Sequence, residues 1–330
     1  MKNTAEIKRM AQAQTFGVEI EMSNITRENA AKVAAEYFGT YRYENTNSVH
    51  GYMAWSAWDT DNNEWVFVRD VSITGPDSQK TELVTPVLRY SQMELLQGLC
   101  RALRKAGAKS SFQNMCGCHI HIGLKADDGT EFTPRAIRCL ANLMASHEDL
   151  ISEVINIAPS RKYRYCKPIS TDFVKRINKR QPADTSWDTL MMDWYGTDNA
   201  DDAKRIYART HYDNTRYSML NLHSAFSWMA GGDHSKPTVE YRMFQFEAPK
   251  DGKQNGIHAG KLRAYIEFCL HMSAYAKLAK SISPKTGQRS NKKFAMRTWL
   301  LRLGFIGDEY KNTRKHLLAN LTGNTAWRFR

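Results

Sequence analysis

The sequence has no run approaching the roughly 18 consecutive apolar residues that a membrane-crossing helix requires, which excludes a bilayer span. Its first residues, "MKNTAEIKRMAQAQTFG", are polar and lack the apolar core of a secretory leader. The two absences together give the expectation of a soluble, cytoplasmic protein. Cysteine is sparse: Cys100, Cys116, Cys118, Cys139, Cys166 and Cys269 are scattered apart from the pair at 116 and 118. A disulfide framework belongs to short secreted chains, so reduced thiols are expected. No second cysteine pair stands at a spacing suited to a structural zinc site. Acidic residues are scarce towards the C-terminus, where residues 261–330 hold only Glu267, Asp308 and Glu309.

What is present is an ordinary globular balance. The 330 residues are 42% hydrophobic and 25% charged, enough for one large domain or two modest ones. The net charge of +13 is placed unevenly, because residues 261–330 carry 15 Lys/Arg and thus +12 of it. Two readings stand side by side: a solvated basic helical face, or a docking surface for nucleic acid or an acidic polymer. The aromatics of that segment (Tyr265, Phe268, Tyr275, Phe294, Trp299, Phe305, Trp327) sit mostly at helical spacing and read as core.

Elements follow from periodicity. Residues 14–22 alternate and predict a strand, and 27–38 predict a helix capped by Thr26 and ended by Gly39. Residues 51–58 and 64–73 flank "DTDNN" and predict a hairpin. "TELVTP" predicts a short strand stopped by Pro86. Ser91 to Gly107 predicts a helix with a Ser91/Glu94 capping box. "CGCHIHIGL" predicts a strand, and Thr133-Pro134 opens a helix to about Asn156. Residues 158–212 are polar and broken by Pro159, Pro168 and Pro182, which predicts loops and short helices in an insertion. Residues 215–228 and 237–247 predict two strands joined by the turn "MAGGDHS", 257–281 a helix, 283–293 a basic loop, and the tail to 330 helix. The mixture lacks regular βαβ spacing. It predicts an α+β fold with a mostly antiparallel sheet, a catalytic domain over 1–260 and a basic, mainly helical segment over 261–330 packed on it.

Alternation along strands organises the polar residues. In "FGVEIEM", Glu19 and Glu21 share a face, with Val18, Ile20 and Met22 behind. In "CGCHIHI", His119 and His121 share a face opposite Cys118, Ile120 and Ile122. In "TVEYRMF", Glu240 and Arg242 share a face, and "KTELVTP" adds Glu82. Each pair alone could be the wet side of an edge strand. Together, four glutamates and two histidines in phase point to divalent metal, and the oxygen-rich set suits Mg²⁺ or Mn²⁺ better than zinc.

The set "FGVEIEM", "RDVSI…TELVTP", "CGCHIHIGL", "NTRYSMLNL" and "TVEYRMF", spread over about residues 16–247, resembles the amidoligase family of carboxylate–amine ligases. Val71 stands where glycine is expected after Asp70, and Cys118 where a bulkier apolar residue is common. The resemblance implies the curved, helix-backed catalytic fold of glutamine synthetase and glutamate–cysteine ligase. It also implies ATP-dependent amide formation through an acyl phosphate, with two divalent metals. By position it implies Glu19, His119 and Glu240 at one metal beside the ATP phosphates, and Glu21 with Glu82 at the other, near the carboxylate and amine substrates. It places His121 on an ATP phosphate and Arg242 at the transferring phosphoryl group. Arg216 and Asn221 fall where substrate is contacted. Members of this kind are often encoded by phages, for which the compartment would be the host cytoplasm, or in bacterial gene clusters. The partners implied are small-molecule or peptide carboxylates and amines. Two alternatives stand beside this reading: a non-catalytic binder of nucleic acid or an acidic partner through residues 261–330, and a zinc hydrolase built on His119 and His121.

Overall fold

A computed structural model describes residues 4–209, 213–229, 236–247, 256–287 and 289–327. Among the described residues there are eight strands: β1 (Phe16–Met22), β2 (Tyr43–Asn45), β3 (Trp55–Trp58), β4 (Glu64–Val68), β5 (Thr81–Val84), β6 (Cys118–Gly123), β7 (Leu220–Asn221) and β8 (Thr238–Phe244). The chain divides into two compact units. One comprises Phe16–Ile120 and Phe244–Ile266; the other comprises Met1–Thr15, His121–Met243 and Glu267–Arg330.

In the first unit the strand order is β2-β3-β4-β5-β1, followed by the start of β6. The pairings of β2 with β3, β3 with β4, β4 with β5 and β5 with β1 are all antiparallel. The hairpin forms where "DTDNN" predicts it. Asp59 Oδ1 accepts from the backbone N–H of Asp61 at 3.0 Å and of Asn63 at 2.9 Å, which closes the turn. Its other oxygen accepts from Trp65 Nε1 at 3.0 Å, so the buried indole keeps its donor satisfied. The helix Arg27–Phe38 begins with Thr26 accepting from the Asn29 N–H and ends at Gly39 in the left-handed region, φ 75°. It lays Ala30, Ala31, Ala34, Ala35 and Phe38 into the core, where Phe38 meets Trp65 at a ring distance of 5.1 Å.

The helix expected from Ser91 starts slightly later. Tyr90–Gln92 forms a 3-10 turn, and the α-helix runs Met93–Lys105. The reach-back bond comes from Gln92 Oε1, which accepts from the Arg89 N–H at 2.9 Å. Of the leucines that repeat every four residues, Leu95, Leu99 and Leu103, the last two are buried; Leu96 rather than Leu95 joins them in the core.

In the second unit the end of β6 lies beside β8, and β8 pairs antiparallel with β7. The helix Pro134–Ile155 is capped by Thr133, whose hydroxyl accepts from the Ala136 N–H, with proline in its first turn. Residues 158–209 form short helices at Pro159–Arg164, Thr171–Lys179, Trp187–Tyr195 and Ala200–Arg209. Phe173, Trp194 and Phe226 pack edge to face there, and buried Asp193 holds Arg180 through a two-pronged ion pair.

The strand expected over 215–228 is a correction. It resolves into a 3-10 turn Asn214–Arg216, two residues of β7, and a helix His223–Met229. Asn221 Oδ1 accepts from the His223 N–H at 2.9 Å, and Leu222 and Phe226 are buried one turn apart. A capping side chain and an i, i+4 apolar pair outweigh the local alternation. In the turn "MAGGDHS", Ala230–Ser235 lie outside the described residues, as do residues 210–212, 288 and 328–330 of the other segments.

The helix Ala259–Leu278 runs from the first unit into the second, and Lys292–Arg302 and Lys311–Leu318 follow it. Tyr265, Phe268, Trp299 and Phe305 are buried, as their spacing predicts. Several cations of this basic segment are engaged within the fold. Arg289 pairs with Asp149 and Lys292 with Glu153, while Arg314 donates to the carbonyls of Phe305 and Gly307. Among the described residues, no helix is long and apolar enough to cross a membrane. None of the six cysteines forms a disulfide, and all are buried.

Candidate active site

In the first unit, β1, β5 and β6 bring acid and imidazole together. Glu21 stands directly opposite Glu82 in the β1–β5 pairing, and Glu82 stands opposite Val68 of β4. Like charges facing across strands are unfavourable. Glu19 lies two residues along β1 on the same face, half-buried beside His119, whose Nδ1 is 3.2 Å from Glu19 Oε2. His119 Nε2 is 3.7 Å from Glu21 Oε1, while Glu21 Oε2 accepts from the Gly117 N–H at 2.6 Å.

Within this unit, two groups of ligand atoms each lie within 4.8 Å of one another: Glu19, Glu82 and His119, and Glu21, Asp70 and Glu82. Glu82 belongs to both. Asp70 is absent from the ligand set inferred from sequence. It sits just past β4, where Asp70 Oδ1 accepts from the Ser72 N–H at 2.6 Å and folds the loop back. The signal for it was "RDVSI", an acid two residues after Val68 that continues the strand's alternation onto the Glu82 side. Carboxylates held this close repel one another, and a cation relieves that repulsion. The donors, several carboxylates and one imidazole, fit Mg²⁺ or Mn²⁺.

The strand β6 is buried on both faces: Cys118, Ile120 and Ile122 are fully enclosed, and His119 and His121 are 4% and 6% exposed. The histidines are therefore not the wet side of an edge strand. The cysteines join neither ligand group, so no Cys/His zinc centre forms among these residues.

In the second unit, β7 and β8 assemble the remaining residues. Glu240 and Arg242 are buried, and Arg242 Nη1 donates to Glu240 Oε1 at 2.5 Å. Asn221, paired with Glu240 in the strand register, donates Nδ2 to Glu240 Oε2 at 2.6 Å. Both carboxylate oxygens are thereby held. His121 is oriented by Thr238, whose hydroxyl is 3.0 Å from its Nδ1, and its Nε2 is 3.9 Å from Glu240 Oε1.

The guanidinium of Arg242 lies 5.9 Å from the ring centre of Tyr217, and that of Arg216 lies 5.7 Å from it. Arg161, itself buried, donates to the Arg242 carbonyl at 3.4 Å. Tyr217 and Arg161 were not among the residues singled out from sequence; local spacing does not mark them, because their contacts to Arg242 cross long separations.

A family model described as "Putative amidoligase enzyme" matches residues 12–273, well over half of the chain. The chain belongs to the amidoligase family. The match spans every site residue named above. Comparison with curated proteins gives no match. Among solved structures, a bifunctional glutathione synthetase from Pasteurella multocida aligns over 95% of this chain at 11% identity, with a TM-score of 0.47. This amidoligase-family chain covers 48% of that protein, about half its length.

Proposed function

We propose that this protein is an ATP-dependent carboxylate–amine ligase that works through an acyl phosphate, on a glutamine synthetase-like catalytic fold, with the chemistry carried within residues 1–260. Family membership supports the ligase class, and one observation supports the metal-dependent mechanism: Glu82 is shared by two ligand groups, as a pair of neighbouring cations would require. The groups are Glu19–Glu82–His119 and Glu21–Asp70–Glu82. A divalent ion in such a site neutralises phosphate oxygens and orients them for in-line transfer.

The chain's own residues then divide the work. A carboxylate oxygen of the first substrate attacks the γ-phosphorus of ATP, and the bond to the bridging oxygen breaks to release ADP. The amine nitrogen attacks the acyl carbon, loses a proton, and expels phosphate carrying one former carboxylate oxygen. Arg242, buried and clamped by Glu240, supplies a permanently charged fork to the phosphoryl oxygens. Such a donor, acting only in the transition state, contributes roughly 3–4 kcal/mol. His121, oriented by Thr238, offers Nε2 to a phosphate oxygen. Asn221 positions Glu240, and Arg216 with Tyr217 faces the substrate.

The test is isotopic. A substrate carboxylate labelled with ¹⁸O should deliver one label to inorganic phosphate per turnover, with ADP as the other product. Unlabelled phosphate, or release of AMP and pyrophosphate, would overturn the acyl-phosphate route.

A further inference from the structure

Lys285 and Arg289, which precede the helix Lys292–Arg302, have no part in the chemistry above, yet they wall a cavity of about 440 Å³ in the second unit. Lys285, Arg289 and Arg302 line it, with Phe294, Trp299 and His147. We propose that this cavity binds a small anion carrying an aromatic ring.

Three features point to that class. The volume suits a ligand of one or two rings, within the range of small-molecule sites. Three cations line the cavity, and no carboxylate is among its lining residues. Arg289 is held by Asp149 at 2.5 Å and by the Ser146 carbonyl at 2.7 Å, which fixes the loop. Lys285 and Arg302 have no carboxylate partner among the described residues, and both are exposed.

The third feature is aromatic. His147 stacks on Trp299 with ring centres 3.9 Å apart and planes at 18°, while Phe268 closes the far edge of the indole at 5.4 Å. Phe294 adds a partly exposed ring on the same wall. Burial and the charge of Arg289 hold His147 down to about 4, so its imidazole is neutral at pH 7 and offers a ring rather than a fourth charge.

The shared chemistry is a planar ring with a phosphate or carboxylate. Adenosine monophosphate and benzoate separate the two sources, and inorganic phosphate is the ring-less control. Calorimetric titration of the full chain should show at least one ring-bearing anion binding with Kd below about 1 mM, and phosphate at least about tenfold weaker. The Lys285→Ala/Arg302→Ala double variant, altered only at exposed positions, should bind at least about tenfold more weakly, and added salt should weaken wild-type binding. Arg242→Ala should also bind as wild type, and the loss on the Lys285→Ala/Arg302→Ala change, at positions outside the ligase ligands, is what separates this site from the ligase chemistry. Adenosine monophosphate binding identifies a nucleotide-type ligand, and benzoate binding an aromatic acid. The proposal fails if neither exceeds phosphate, if the double variant binds equally well, or if Arg242→Ala abolishes the binding.

Discussion

At the scale of single residues, Glu82 and Arg242 carry the sharpest expectations. Because Glu82 enters both ligand groups, Glu82→Gln should lower bound Mn²⁺, counted by electron paramagnetic resonance, more than Asp70→Asn does. Equal losses in the two variants would contradict a shared ligand. Arg242→Ala should reduce ADP release at least about 10²-fold while nucleotide binding persists; steady-state kinetics beside a nucleotide-binding titration reads both. Lys277 makes a prediction about stability. Its ammonium is buried 4.4 Å from the Phe132 ring centre, without a hydrogen-bond partner among the described residues, and burial lowers its pKa from 10.5 to about 8. Between about pH 8 and 10.5 the unfolded chain holds a proton there that the folded chain has released. Stability therefore rises with pH through that window, by on the order of 3 kcal/mol at its top. Lys277→Met should flatten that rise in thermal melts taken from pH 8 to 10.5.

At the scale of elements, alternation was readable and long-range partners were not. The phase of Glu19, Glu21, Glu82, His119 and Glu240 followed from β-strand period alone, because each strand packs an apolar face behind its polar one. The region around Asn221 was misread: its capping amide and the Leu222–Phe226 spacing favour a helix that local alternation conceals. Asp70 was visible in "RDVSI", but its role depends on where β4 ends relative to Glu82, a matter of register rather than composition. Tyr217 gained meaning only when two guanidinium groups converged on it. The entry to the helix Ala259–Leu278 offers a backbone test. Gly256 adopts φ +83°, and a Cβ there would lie 1.8 Å from the Ser110 carbonyl oxygen. Gly256→Ala should therefore cost more than about 2 kcal/mol in chemical denaturation, since backbone rather than a movable side chain blocks it.

At the scale of the whole molecule, the cysteines behave as filler. All six are buried, and enclosure pushes the Cys100 thiol up to about 12. An aromatic disulfide reagent at pH 8 should leave the native chain essentially unmodified and titrate six thiols in denaturant; rapid native labelling would show that the packing is looser than described. The division of the chain has a temporal consequence. One unit closes with Phe244–Ile266, whereas the other is assembled from Met1–Thr15, His121–Met243 and Glu267–Arg330. On the ribosome, the metal-ligand side of the protein can thus mature before the other unit, in which Gln14 donates to the Leu270 carbonyl, has its last segment free to pack. A nascent chain stalled before Glu267 would expose the unfinished apolar surface of the other unit, making it a natural client for chaperones.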